Sequence, residues 1–317
     1  MVEGTSIPAK LVSPFFGLAN RVRLGFPGRY FSGTGRLGDD LMGTTVFREL
    51  KKRSSRRIAM VSPHAELFAK NPDLDHLIQH SHPRMARWLT AGLPLTRLSY
   101  STYDPARDAD EPLAENVLIK LLRKARVTGE VDLRPYLFLT PSEITSGKLA
   151  REQIVMQSSG LAAPFPMRNK EWYPDRFQSV CTELSSEVQV IQIGSPNDPK
   201  LERAMDLRGK TSLRQAAALL ANSLVFIGLE GFLMHLARAV DCRSVIVYGG
   251  RIKPTQIGYV ANKNLYSQVR CAPCWLRNTC DYDRKCLDMI TAEHVISAAA
   301  EQISRYGTLL EVQTAVL

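Results

Sequence analysis

Short runs rich in Val, Ile, Phe and Tyr alternate along this chain with amphipathic stretches of helical period, and that alternation restricts the fold more than any other feature. Runs of four to six such residues bounded by turn formers read as strands buried on both faces. Helices between successive runs allow those strands to be parallel. The strand candidates are 29–32, 57–61, 95–100, 136–139, 154–157, 188–192, 224–227 and 244–248, and the helix candidates 40–52, 115–125, 174–183, 213–221, 233–240 and 292–306. This is the pattern of βα units in an α/β protein. With 317 residues the chain is long for one core and suited to two. The polar turn between Thr140 and Leu149 divides it best, giving halves of 1–147 and 148–317. Open parallel sheets bind ligands beyond the carboxyl ends of their strands, so two facing sheets would place a site in the cleft between them.

Composition narrows the class. Apolar residues form 44% and charged residues 23% of the chain, values of an ordinary globular protein. No apolar run reaches the length of a membrane span, and no compact signal-like segment opens the sequence; the expected location is the cytoplasm. The net charge of +10 favours an anionic partner. The βα alternation turns that expectation from nucleic acid toward a nucleotide or phosphate. Basic and apolar residues interleave from Lys10 to Arg23, which reads either as a segment lying on anionic lipid at the inner membrane or as a helix packed on its own domain.

Several strand ends carry candidate chemistry. Gly33-Thr34-Gly35-Arg36-Leu37-Gly38-Asp39-Asp40 follows one strand and opens a helix, where glycines admit an anion and free N–H groups meet it. It matches G-x-G-x-x-G but lacks the acid that a dinucleotide site wants at the next strand end. Asp39 fits a general base for an acceptor hydroxyl, or a plain helix cap. Lys170, ahead of a helix opened by Pro174, could neutralise a departing diphosphate or be a solvated loop lysine. At Gly228-Leu229-Glu230-Gly231, Glu230 and Gly231 combine an acceptor side chain with an open helix N-terminus. His235 follows one turn later on an apolar face, where a histidine is either a hydrogen-bonded core residue or a donor contact. Gly249 and Gly250, with Arg251 and Lys253, end another strand in a way apt for phosphate. Cys271, Cys274, Cys280 and Cys286 crowd into sixteen residues. Four thiolates so spaced can close on zinc or iron in a structural site, or pair locally as disulfides in an oxidising compartment.

Together these segments resemble glycosyltransferase family nine, the ADP-heptose:lipopolysaccharide heptosyltransferases. The resemblance runs from Gly33 to about Ser297. It is strongest in Asp206–Leu213, in Ala217–Ala221 and in Gly228 through His235-Leu236-Ala237, with Gly38-Asp39 and Lys170 at the family's acidic and basic positions. It implies a GT-B fold, two Rossmann-like doubly wound domains facing across a cleft, the first on the acceptor side and the second binding the nucleotide sugar. It further implies an inverting transferase that moves heptose from an ADP-linked donor to a saccharide, lipid-linked glycan or protein hydroxyl. Asp39 would be the base and Lys170 the counter-charge. Gly38, Glu230, Gly231, His235, Gly249, Gly250 and Lys253 would hold the donor, and transfer would need no divalent cation. The cysteines resemble those that hold iron in the heptosyltransferases that modify autotransporter proteins. One segment departs from the family: Leu229-Glu230-Gly231-Phe232 stands where better-known members have Asn-Asp-Ser/Thr-Gly. That leaves donor identity open and admits a second expectation, a non-catalytic sugar-nucleotide-binding or metal- and redox-sensing protein on the same fold.

Overall fold

The computed structural model describes residues 19, 22–24, 28–80, 90–308 and 310–317. Most of the basic segment given to membrane contact therefore lies outside the described residues. The first half of the chain lays down β1 (Gly28–Ser32), α1 (Leu37–Lys51), β2 (Arg57–Ser62), α2 (Ala65–Phe68), β3 (His76–Gln79), β4 (Leu95–Arg97), the hairpin β5 (Tyr103–Asp104) and β6 (Ala109–Asp110), α3 (Val117–Lys124) and β7 (Glu130–Asp132). The second half continues with α4 (Pro141–Ser146), β8 (Gln153–Met156), a 3-10 turn (Arg168–Lys170), α5 (Pro174–Leu184), β9 (Gln189–Gln192), β10 (Met205–Asp206), α6 (Leu213–Ala221) and β11 (Phe226–Leu229). It ends with α7 (Phe232–Ala239), β12 (Ser244–Tyr248), α8 (Pro254–Ile257), β13 (Lys263–Tyr266), α9 (Lys285–Asp288), α10 (Ala292–Ser304) and β14 (Thr314–Val316).

Two parallel sheets result. The first has the order β3-β2-β1-β4 and the second β10-β9-β8-β11-β12-β13, and every pairing within them is parallel. The central strands explain why: all residues of β8, β11 and β12 are buried, so helices must cover both faces. The fold is the mixed α/β arrangement of GT-B enzymes. Helix starts follow local chemistry. Ser212 and Gln215 form a reciprocal cap on α6, and Thr140 and Glu143 do the same on α4, each satisfying N–H groups the helix cannot.

The halves are packed against each other. Helix α1 of the first sheet lies on α7 of the second, and Phe31, Phe47, Leu236 and Tyr259 belong to one apolar cluster that spans both. The chain end then returns, with β14 pairing antiparallel to β7. One expected strand is absent. Residues 136–139 pair with no strand, and their backbone bonds go elsewhere: Tyr136 N–H donates to Thr44 Oγ1 at 2.8 Å and Leu137 N–H to the Ala239 carbonyl at 3.3 Å. No described helix is long and apolar enough to cross a membrane.

Candidate active site

A cleft of about 480 Å³ opens at the carboxyl ends of the second sheet's strands, floored by Gln157, Ile193, Leu229, Glu230 and Gly231 and reaching Leu37 of α1. The first half contributes Leu37 to the lining, and Asp39 follows two residues later on the opening turn of α1. Of the two adjacent aspartates, Asp40 turns inward: it is fully buried and accepts from Ser62 Oγ at 2.5 Å. A Cβ at Gly33 would stand 1.9 Å from its Oδ1, so a side chain there would have to displace the Asp40 carboxylate. Asp39 keeps only 7% of its surface exposed and accepts a hydrogen bond from Thr34 Oγ1 at 2.7 Å. Burial raises its carboxyl above the ordinary value, against the opposing effects of the Thr34 and Tyr100 hydroxyls and the charges of Arg36 and Lys170. A buried carboxylate with a raised pKa beside a cleft is suited to taking a proton.

The second half contributes an ion pair. Lys170 closes the 3-10 turn, and its Nζ lies 2.8 Å from Glu230 Oε2 at the end of β11. Burial lowers the Lys170 ammonium's pKa despite the nearby Glu230 charge. Burial alone would raise Glu230, but the charges of Lys170 and Arg251 outweigh it and hold the carboxyl below its ordinary range. Tyr100, at the end of the segment after β4, joins the two sets: its hydroxyl is raised well above 10 by burial and by the negative charges of Asp39 and Glu230. Asp39, Tyr100, Lys170, Glu230 and Arg251 thus form one electrostatic unit across the halves.

Not every expected donor contact lies there. His235 is 3% exposed, with Nδ1 2.6 Å from the Tyr259 hydroxyl and its ring set edge-on to Tyr259. A Cβ on Gly38 would stand 3.4 Å from His235 Cδ2. The two residues therefore form the close contact between α1 and α7, and burial lowers the imidazole pKa to about 4, leaving it neutral at pH 7. Gly249 and Gly250 face away from the cleft. A Cβ on Gly249 would stand 2.0 Å from the Asn169 carbonyl, and one on Gly250 would stand 3.1 Å from Cys286 Sγ. Lys253 is exposed at the start of α8.

The four crowded cysteines are all free thiols, so the disulfide alternative is not realised here. They line one recess of about 50 Å³ together with Arg251 and Arg284. Backbone N–H groups of Gly250 and Arg284 donate to Cys286 Sγ at 3.1 Å and to Cys280 Sγ at 3.3 Å. Among the described residues, no three His, Cys, Asp or Glu side chains form a group that could hold a metal ion. The donor chemistry suits a soft ion, but the sulfurs are not gathered as a ligand set.

The sequence reading did not single out Asp110. Its carboxylate, 5% exposed, meets Arg251 Nη2 at 2.8 Å and Arg277 Nε at 3.1 Å. Asp108 accepts from the backbone N–H groups of Asn278 and Thr279, and Ala109 bridges antiparallel to Leu276. The β5–β6 hairpin is docked on the cysteine-rich loop. Nothing in the local sequence signals pairings between groups 141 and 167 residues apart.

The fold is shared with solved glycosyltransferases. Residues 148–284, most of the second half, match the model of glycosyltransferase family 9 (heptosyltransferase). Among solved structures it is similar to the ADP-heptose lps heptosyltransferase II of E. coli, at 18% identity and TM-score 0.66 over 88% of this chain and 99% of that one. It is also similar to the iron-containing dodecameric glycosyltransferase TibC from enterotoxigenic E. coli, at 18% identity and TM-score 0.67 over 88% and 76%. A third is the E. coli heptosyltransferase WaaC with ADP, at 14% identity and TM-score 0.52 over 87% and 99%. No curated protein sequence matches.

Proposed function

We propose that the chain transfers a heptose, with inversion, from an ADP-linked donor to an acceptor hydroxyl. The observation that carries this reading is the buried Asp39 on α1 of the first half, within electrostatic reach of Lys170, whose pair with Glu230 lines the cleft. Similarity to a structure of TibC in complex with ADP-D-beta-D-heptose supports the donor class. Asp39 removes the acceptor proton as the new C–O bond forms at the anomeric carbon. The bond from that carbon to the diphosphate breaks, and the charge that builds on the leaving group meets Lys170. Glu230 holds the ammonium in place and accepts from donor hydroxyls, and the open N-terminus of α7 at Gly231 faces the phosphates. The transfer step itself calls on no divalent cation. The acceptor is a saccharide, a lipid-linked glycan or a protein hydroxyl, met in the cytoplasm or at the inner membrane surface.

We propose that Cys271, Cys274, Cys280 and Cys286, whose sulfurs share one recess without yet forming a ligand set, draw together around a structural iron or zinc ion when it binds. An all-thiolate site leaves no open position for substrate.

Thermal-shift titration with ADP-, UDP-, GDP- and dTDP-sugars, with elemental analysis of the same sample, tests both statements. Selective stabilisation by the ADP-linked sugar, growing with the logarithm of its concentration, and a single iron or zinc ion per chain are expected. Equal, absent or differently selective shifts reject the donor, and metal-free protein that still folds rejects the ion. Selective binding without turnover favours a sensor on this fold, the reading that the Leu229–Phe232 departure motivates.

A further inference from the structure

Asn169 immediately precedes Lys170 and is only 4% exposed, although it lies on no strand or long helix. It is the middle residue of the three-residue turn Arg168–Lys170. Its inter-residue bonds run to the cysteine-rich loop, 107 to 110 residues further along. The side-chain Nδ2 donates to the Leu276 carbonyl at 3.1 Å and to the Thr279 carbonyl at 2.8 Å, and the backbone N–H donates to the Arg277 carbonyl at 2.9 Å. On the opposite side its own carbonyl approaches Gly249 so closely that no Cβ could stand there.

The turn's own bonds are weak support. Lys170 N–H donates to the Met167 carbonyl and Glu171 N–H to that of Arg168, and so short a 3-10 segment has little stability alone. The loop therefore decides where the turn sits. That loop is in turn fastened to the β5–β6 hairpin of the first half through Asp108 and Asp110. Both side-chain partners of Asn169 are carbonyl oxygens, so an amide fits and a carboxylate of the same size does not.

We propose that Asn169 is a positioning residue for Lys170: it clamps the lysine-bearing turn to the cysteine-rich loop, so that the fold of that loop sets the place of the ammonium in the cleft. The consequence for turnover rests on the proposed function, in which Lys170 faces the leaving diphosphate; the clamp itself does not.

Two readouts separate these. Amine acylation of the full-length protein, mapped by peptide mass, reads the exposure of Lys170 whatever the protein catalyses. Asn169→Ala and the isosteric Asn169→Asp are expected to speed labelling of Lys170 severalfold while other lysines keep their rates. Asn169→Ser serves if either variant fails to fold. In transfer assays Asn169→Ala should lower kcat by about tenfold, since sub-ångström to 1 Å misplacement is costly to an electrostatic contact. In a Lys170→Met background it should add nothing, because residues acting as one unit are non-additive. Labelling of Lys170 at the wild-type rate in these variants, or losses that multiply in the double variant, overturns the proposal. Faster labelling combined with unchanged donor affinity in Lys170→Met upholds the clamp and removes the diphosphate role instead.

Discussion

Asp39→Asn is expected to lower the transfer rate by about 10²–10⁴, the range over which a positioned base accelerates proton transfer, while donor affinity stays close to wild type. The asymmetry follows from placement. Asp39 stands on α1 of the first sheet, whereas the residues lining the donor cleft come almost entirely from the second. The pH profile carries the same information. A base must be ionised to act, so activity falls as pH drops through the folded-state pKa of Asp39, which burial holds above 3.8. The Thr34 hydroxyl opposes that rise by bonding the ionised form. Thr34→Ala therefore moves the acid limb to higher pH, and a profile unchanged by Thr34→Ala would remove Asp39 from the role. Equal loss of binding and turnover in Asp39→Asn would do so too.

The largest expected effect on stability comes from Asp110→Ala. The Asp110 carboxylate is the buried counter-charge for Arg251 and Arg277, whose side chains are 8% and 7% exposed. Removing one partner of a buried ionic group leaves uncompensated charge and typically costs about 3–5 kcal/mol. Chemical denaturation should show a loss of that order. Arg277→Met placed in the Asp110→Ala background should recover part of it, by withdrawing one stranded guanidinium from beside the Tyr103 ring, which it now covers at 3.8 Å. A loss below about 1 kcal/mol, the range of exposed pairs, would mean that the triad does not join the halves.

Much of this arrangement was legible in the sequence, and what escaped did so for physical reasons. Strands β8, β11 and β12 are buried on both faces, so they appear as apolar runs. Strand β13, Lys263-Asn264-Leu265-Tyr266, is half-buried throughout at the sheet's edge and shows no such run. The expected strand at 136–139 has the right composition, but Thr44 and Ala239 take its backbone donors. At the site, Lys170 stood out as a cation ahead of a helix and Glu230 as an acid at a strand end, and the structure joins them in one ion pair. His235 occupies a position that resembles a donor contact, yet its neighbours Tyr259 and Gly38 make it a packing residue. Tyr100 and Asp110 acquire meaning only through partners far along the chain, which no local pattern records.

The central claim is that the cleft binds a nucleoside-diphosphate sugar with Lys170 set against its phosphates. Calorimetric titration of ADP-heptose into the wild-type protein and into Lys170→Met tests it most directly. Saturable binding by the wild type, weakened about tenfold or more in the variant as a charge-assisted contact of about 1.5–3 kcal/mol is lost, is the predicted result. No binding by the wild type, or equal affinities for the two proteins, would contradict it.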